Sequence, residues 1–168
     1  MSDERTLFIV RHAKSSWDIE DISDTDRPLK LKGIRDAYDM ARRIKINHEI
    51  PGLIISSPAN RALHTACIFA NVLEVKLNLL RIDERLYGSG IGVIRKILSE
   101  QDSSIKSLMV FGHNPDFSEL ATSLSGSEYI DLPTCGVCKI TFNSPGWGSV
   151  SAREMIKVFL DFPKKDKD

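Results

Sequence analysis

The sequence predicts an α/β domain built on a mainly parallel sheet. Two observations carry this. Short apolar runs alternate with longer segments of helical periodicity, and 168 residues with 42% apolar content are enough to bury one continuous core. A single domain over residues 1–168 is therefore expected. Strands are expected over 7–10, 53–55, 77–82 and 108–111, with later ones over 137–142 and 154–160. Helices are expected between them, over 31–46, 61–73, 93–100 and 116–124. No internal repeat is visible. Residues 143–148, with Pro145 and two glycines, read as a loop or hairpin, and 163–168 as a polar tail.

Composition narrows the function classes. The 23 basic and 23 acidic residues cancel, so no long-range field draws the molecule to nucleic acid or an anionic membrane, and an anion site has to be built locally. The first residues, Met1 to Thr6, are polar, with no apolar stretch for a signal peptide or membrane span, which predicts a cytoplasmic protein. Three cysteines do not make a disulfide framework. Cys135 and Cys138 have the spacing of a redox pair, but a strand-like Lys139-Ile140-Thr141-Phe142 follows them where such a pair needs a helix N-terminus. Zinc would need further ligands nearby, and no carboxylate cluster stands out for magnesium. No cofactor and no metal are expected.

In an open α/β sheet, ligands bind beyond the carboxyl ends of the strands. Three strand ends carry matching chemistry. Arg11-His12 follows the first run, Ser56-Ser57-Pro58 with Arg61 follows the second, and Gly112-His113-Asn114-Pro115 follows the fourth. Two guanidiniums brought together repel unless an anion joins them, and their planar forks match phosphate oxygens. Nearby cations also disfavour imidazolium, leaving His12 a lone pair for attack on phosphorus. Phosphoryl transfer needs mainly positioning and charge stabilisation, which Arg11, Arg61, His113 and a helix N-terminal amide near Ser57 supply without a metal. His48, beside the turn Ile50-Pro51-Gly52, reads as a surface residue. His64 matches no site position.

The stretch Arg11-His12-Ala13-Lys14-Ser15-Ser16-Trp17-Asp18 resembles the opening signature of the SixA-type phosphohistidine phosphatases, in the histidine phosphatase superfamily that also holds the cofactor-dependent phosphoglycerate mutases. The likeness continues through Arg27-Pro28-Leu29 with Gly33, Ser57-Pro58 with Arg61-Ala62 and Thr65-Ala66, and Gly112-His113-Asn114-Pro115. It implies a three-layer α/β/α, phosphoglycerate-mutase-like sandwich. It also implies that His12 is phosphorylated in the cycle, that Arg11 and Arg61 grip the phosphoryl group, and that His113 is the second pocket histidine. Asp83-Glu84-Arg85-Leu86-Tyr87-Gly88 is similar to the mutase stretch that carries the general acid, which nominates Glu84 as proton donor, with Asp18 as the alternative. Ser57, Lys14, Trp17, Asp18 and Asn114 are the expected substrate-binding residues.

Roughly two dozen residues separate Glu84 from the strand near Leu108, room for one helix but not for a long lid. An open pocket fits a phosphorylated side chain on another protein, such as a histidine-phosphotransfer domain, better than a small ester that must be enclosed. Three rival readings are a small-molecule phosphatase or mutase using the same residues, a module that binds phosphate without hydrolysis, and a thiol-redox protein.

Overall fold

The computed structural model describes residues 3–164. A six-stranded sheet comprises β1 (Glu4–Arg11), β2 (Leu53–Ser56), β3 (Leu80–Ile82), β4 (Ser107–Gly112), β5 (Val137–Asn143) and β6 (Met155–Asp161), in the spatial order β3-β2-β4-β1-β5-β6. The helices are α1 (Leu31–Asn47), α2 (Asn60–Val72), α3 (Ile91–Ser99) and α4 (Asp116–Ser125).

Strand periodicity explains the layers. Along β1, Leu7 and Ile9 face a core shared with α3 and α4, while Phe8 and Val10 face one shared with α1 and α2. β4 divides in the same way, with Leu108 and Val110 on one side and Met109 and Phe111 on the other. Strands covered on both faces read as unbroken apolar runs, which is why these segments stood out in the sequence.

The sheet is mixed, which corrects the expectation of a mainly parallel one. β1 with β4, β4 with β2 and β2 with β3 are parallel, but β5 runs antiparallel to β1 and β6 antiparallel to β5. No helix lies between β5 and β6, only a connection with the short 3-10 turn Trp147–Ser149, so the two strands form an antiparallel pair. The third strand is also shorter than expected. Residues Leu77–Leu79 form a 3-10 turn in which Leu77 is exposed, so the apolar run there is not buried strand. Of the expected polar tail, 163–164 carry no regular structure and 165–168 lie outside the described residues.

One close contact ties α1 to the segment after β1. Gly33 lies in the first turn of α1 against the backbone of Lys14, where an added Cβ would stand 2.2 Å from the Lys14 carbonyl oxygen and 2.9 Å from its nitrogen. Backbone cannot yield as a flexible side chain does, so Gly33→Ala must push α1 away from the loop that carries His12. A loss of at least ~1–3 kcal/mol, the usual cost of overpacking, is expected in urea unfolding.

Candidate active site

The carboxyl ends of β1, β2 and β4 meet. His12 extends β1, its N–H donating to the Gly112 carbonyl at 3.0 Å. Ser57 follows β2 and donates its N–H to Phe111 O of β4 at 2.9 Å. The His12 and His113 rings lie 5.2 Å apart between centroids, and Ser57 Oγ is 2.8 Å from His113 Nε2. His12 Nδ1 lies 2.7 Å from the Ala13 carbonyl, which only accepts, so Nδ1 carries the proton and Nε2 keeps its lone pair.

Both histidines are buried, with about 8% of their surface exposed. Burial and the charges of Arg61, Arg11 and Arg27 push the His12 pKa down to about 4, against the opposing bond to Ala13 O. Burial, His12, Arg61 and Arg11 push His113 down to about 3, with Asp24 opposing. Both rings are therefore neutral near pH 7. In an NMR titration they are expected to stay unprotonated below the ordinary histidine value of 6.5, His12 taking its proton only near 4. The unfolded chain takes up these protons first, so folding stability should fall as pH drops below 6.5 toward 4.

The two arginines are held by different segments. Arg11 Nη1 donates to Leu132 O at 3.0 Å. Arg61 donates through Nη1 to Asp24 O at 2.6 Å and through Nη2 to Asp24 Oδ2 at 3.0 Å. Arg11 Nε, Arg61 Nε and His113 Nδ1 are buried without a hydrogen-bond partner among the described residues. Buried guanidinium N–H groups left open are what a ligand rich in acceptor oxygens would satisfy, and His113 Nδ1 can donate as well in the tautomer whose Nε2 accepts from Ser57 Oγ.

The other expected residues are placed differently. Asn114 spends its amide on Leu132 O at 3.0 Å and on Ser118 N and Oγ, so it holds the carbonyl that holds Arg11 and fixes the start of α4. Trp17 is 74% exposed, yet the Arg27 guanidinium lies 3.5 Å from its ring centroid. Lys14, Asp18 and Glu84 are exposed, and the Glu84 side chain has no hydrogen bond or ion pair among the described residues.

Asp24 was not singled out by sequence, although it organises the pocket wall. It joins Arg61 and Arg27 in ion pairs and accepts from Tyr87 Oη at 2.5 Å, while the Tyr87 ring packs edge-on to His113 at 5.4 Å. The Tyr87 bond, then Arg61 and Arg27, hold its carboxyl at about 2, against a smaller opposing effect of burial, so it stays ionised. The only signal was its place three residues before Arg27-Pro28-Leu29. The cysteines carry no site chemistry: Cys135 and Cys138 are buried, and burial pushes the Cys138 thiol up to about 12 and raises that of Cys135. Among the described residues, no three His, Cys, Asp or Glu side chains are grouped to hold a metal ion, and no helix is long and apolar enough to cross a membrane.

Comparison with known proteins decides the family. The model of the histidine phosphatase superfamily, branch 1, matches residues 7–109, which include His12, Ser57, Arg61 and Glu84. The chain belongs to the histidine phosphatase superfamily. It is 30% identical over 154 residues to an uncharacterised chloroplast protein of Arabidopsis thaliana, covering 87% of this chain and 70% of that one. Its histidine phosphatase fold also matches that of a candidate phosphohistidine phosphatase, SixA, from Nakamurella multipartitia, with a TM-score of 0.77 at 18% identity over 95% and 96% of the two chains. The protein histidine phosphatase SixA complexed with tungstate matches with a TM-score of 0.76 at 21% identity over 94% of each chain.

Proposed function

We propose that the chain is a metal-independent phosphatase that accepts the phosphoryl group of phosphohistidine in a partner protein onto His12. The observation that carries this reading is a neutral His12 with Nε2 free, set beside His113 and two guanidiniums whose Nε groups lack partners. Nε2 attacks phosphorus as the bond to the leaving nitrogen breaks. The leaving imidazole takes a proton from a carboxylic acid, a role we assign to Glu84, exposed on the 3-10 turn that follows β3, with Asp18 as its alternative. Asp24 is unsuited because it stays ionised. Charge on the phosphoryl oxygens is met by Arg11, Arg61 and His113. The positive charge developing on His12 is met by the Ala13 carbonyl. Water, giving a proton back to the donor carboxylate, then attacks phospho-His12; the P–N bond breaks, inorganic phosphate leaves and Nε2 regains its lone pair.

Two further observations support the substrate class. Only α3, nine residues long, spans the stretch between β3 and β4 beyond short turns, so no long segment there covers the site, and Trp17 is exposed over Arg27, which suits a side chain presented on another surface. A SixA structure of the same fold carries tungstate, a tetrahedral oxyanion like phosphate. Phosphate release should be compared, in the presence of a chelator, from a phosphorylated histidine-phosphotransfer domain, an aryl phosphate and a phosphoglycerate. Preference for the protein substrate is expected. Turnover of the small esters alone would assign the pocket to a small-molecule phosphatase, and tight phosphate binding with no turnover would make it a binding module.

A further inference from the structure

β6 ends the sheet, with no strand on its outer side among the described residues. It is seven residues long, every one at least partly exposed, and Ile156, Phe159, Leu160 and the following Phe162 are exposed apolar residues. Edge strands are usually protected by charge, bulges or short length. Here the bulge falls between Thr141 and Phe142, opposite Ile156 at the start of the strand, and leaves 157–161 regular.

The sequence of this edge complements itself. In antiparallel pairing about a two-fold axis through Phe159, Lys157 stands opposite Asp161 of the second copy, and Val158 opposite Leu160. At the ends, Ile156 meets Phe162. Shifting the axis by one residue to Val158 puts Lys157 against Phe159 and Asp161 against Met155, and shifting it to Leu160 puts Asp161 against Phe159. Only the Phe159 register sets charge against opposite charge on one face and apolar against apolar on the other. The faces are fixed by β5: Lys157 and Phe159 pair with Thr141 and Lys139 on the α1 side, while Val158 and Leu160 pair with Ile140 and Cys138 on the other. Lys157 makes no hydrogen bond or ion pair among the described residues, and Asp161, bonded to Arg43 at 2.7 Å, retains an oxygen for a second cation. Phe162 spends its N–H on Asp161 Oδ1 and its carbonyl on Arg43, so the free edge closes there.

We propose that β6 is the docking surface for a second copy of this chain, the two sheets joining edge to edge in the Phe159 register. Directly opposed residues in such a pair have Cβ atoms about 4.5–5.5 Å apart, near the reach of a disulfide.

The register makes the proposal testable at single residues. Phe159→Cys in a Cys67→Ser background, which removes the exposed native thiol, should cross-link to its own copy under mild oxidation. Val158→Cys in the same background should cross-link far less. Sedimentation of the wild-type chain should show a concentration-dependent dimer. Lys157→Glu, which faces Asp161 of the second copy, should dissociate it, and Lys157→Arg should retain it, with folding of each variant checked by circular dichroism. A wild-type chain that stays monomeric, a dimer indifferent to Lys157→Glu, or cross-linking as strong at 158 as at 159 would each overturn the proposal.

Discussion

Replacing His12 by alanine should reduce turnover by at least ~10^4-fold, because the covalent route is lost rather than weakened. The two guanidiniums should stay in place, because Arg11 is held by Leu132 and Arg61 by Asp24, neither through His12. The variant should therefore retain affinity for a tetrahedral oxyanion while losing catalysis, and that separation is the informative result. After incubation with a radiolabelled substrate and rapid quenching, the wild-type chain should carry label that is lost in acid and kept in alkali, as expected for a phosphoramidate. His12→Ala should carry none. Adding His113→Ala to His12→Ala should cost little more, because residues that act on one transition state are not additive. Activity that survived in His12→Ala, or label moved to His113, would reassign the nucleophile.

His12 and His113 were legible for a specific reason. Each lies just after a strand buried on both faces, and such strands announce themselves as apolar runs; the runs at 7–10 and 108–111 stop one residue short of the ends of β1 and β4. Arg61 was legible because it opens a helix just after one of those ends. Asp24 was not, because nothing local marks it: it sits in a 3-10 turn, Asp24–Asp26, with no apolar periodicity, and becomes a site group only when the chain folds it across to Arg61, thirty-seven residues away. Tyr87 lies inside the stretch whose resemblance nominates Glu84 as the acid, whereas the structure sets the tyrosine ring edge-on to His113, and the glutamate side chain makes no hydrogen bond or ion pair among the described residues. The antiparallel course of β5 and β6 is not legible for a related reason. Alternation along a strand reports which faces are covered, not the direction in which its neighbour runs.

Arg61→Ala should cost about 10^2–10^3-fold in kcat/KM, the scale of losing one preorganised charged donor at a developing oxyanion. The loss has two sources that can be separated. One is the missing bond from the guanidinium to the phosphoryl oxygens. The other is Asp24, whose carboxylate is bonded by Arg61 and held at about 2. Without Arg61 that carboxylate keeps Tyr87 and Arg27 and so remains ionised beside the pocket, now repelling the incoming phosphoryl group. A double-mutant cycle with Asp24→Asn measures the coupling between the two residues, and its salt dependence reports the repulsive part. Arg61→Ala should be less damaging in the Asp24→Asn background than in the wild type, and the difference should shrink at high salt because Asp24 is partly exposed. Arg61→Lys should not restore the rate, since one ammonium cannot hold both Asp24 and a phosphoryl oxygen in the geometry of the planar fork. Equal costs in the two backgrounds would mean that the two residues act independently, Asp24 neither positioning Arg61 nor repelling the phosphoryl group in its absence.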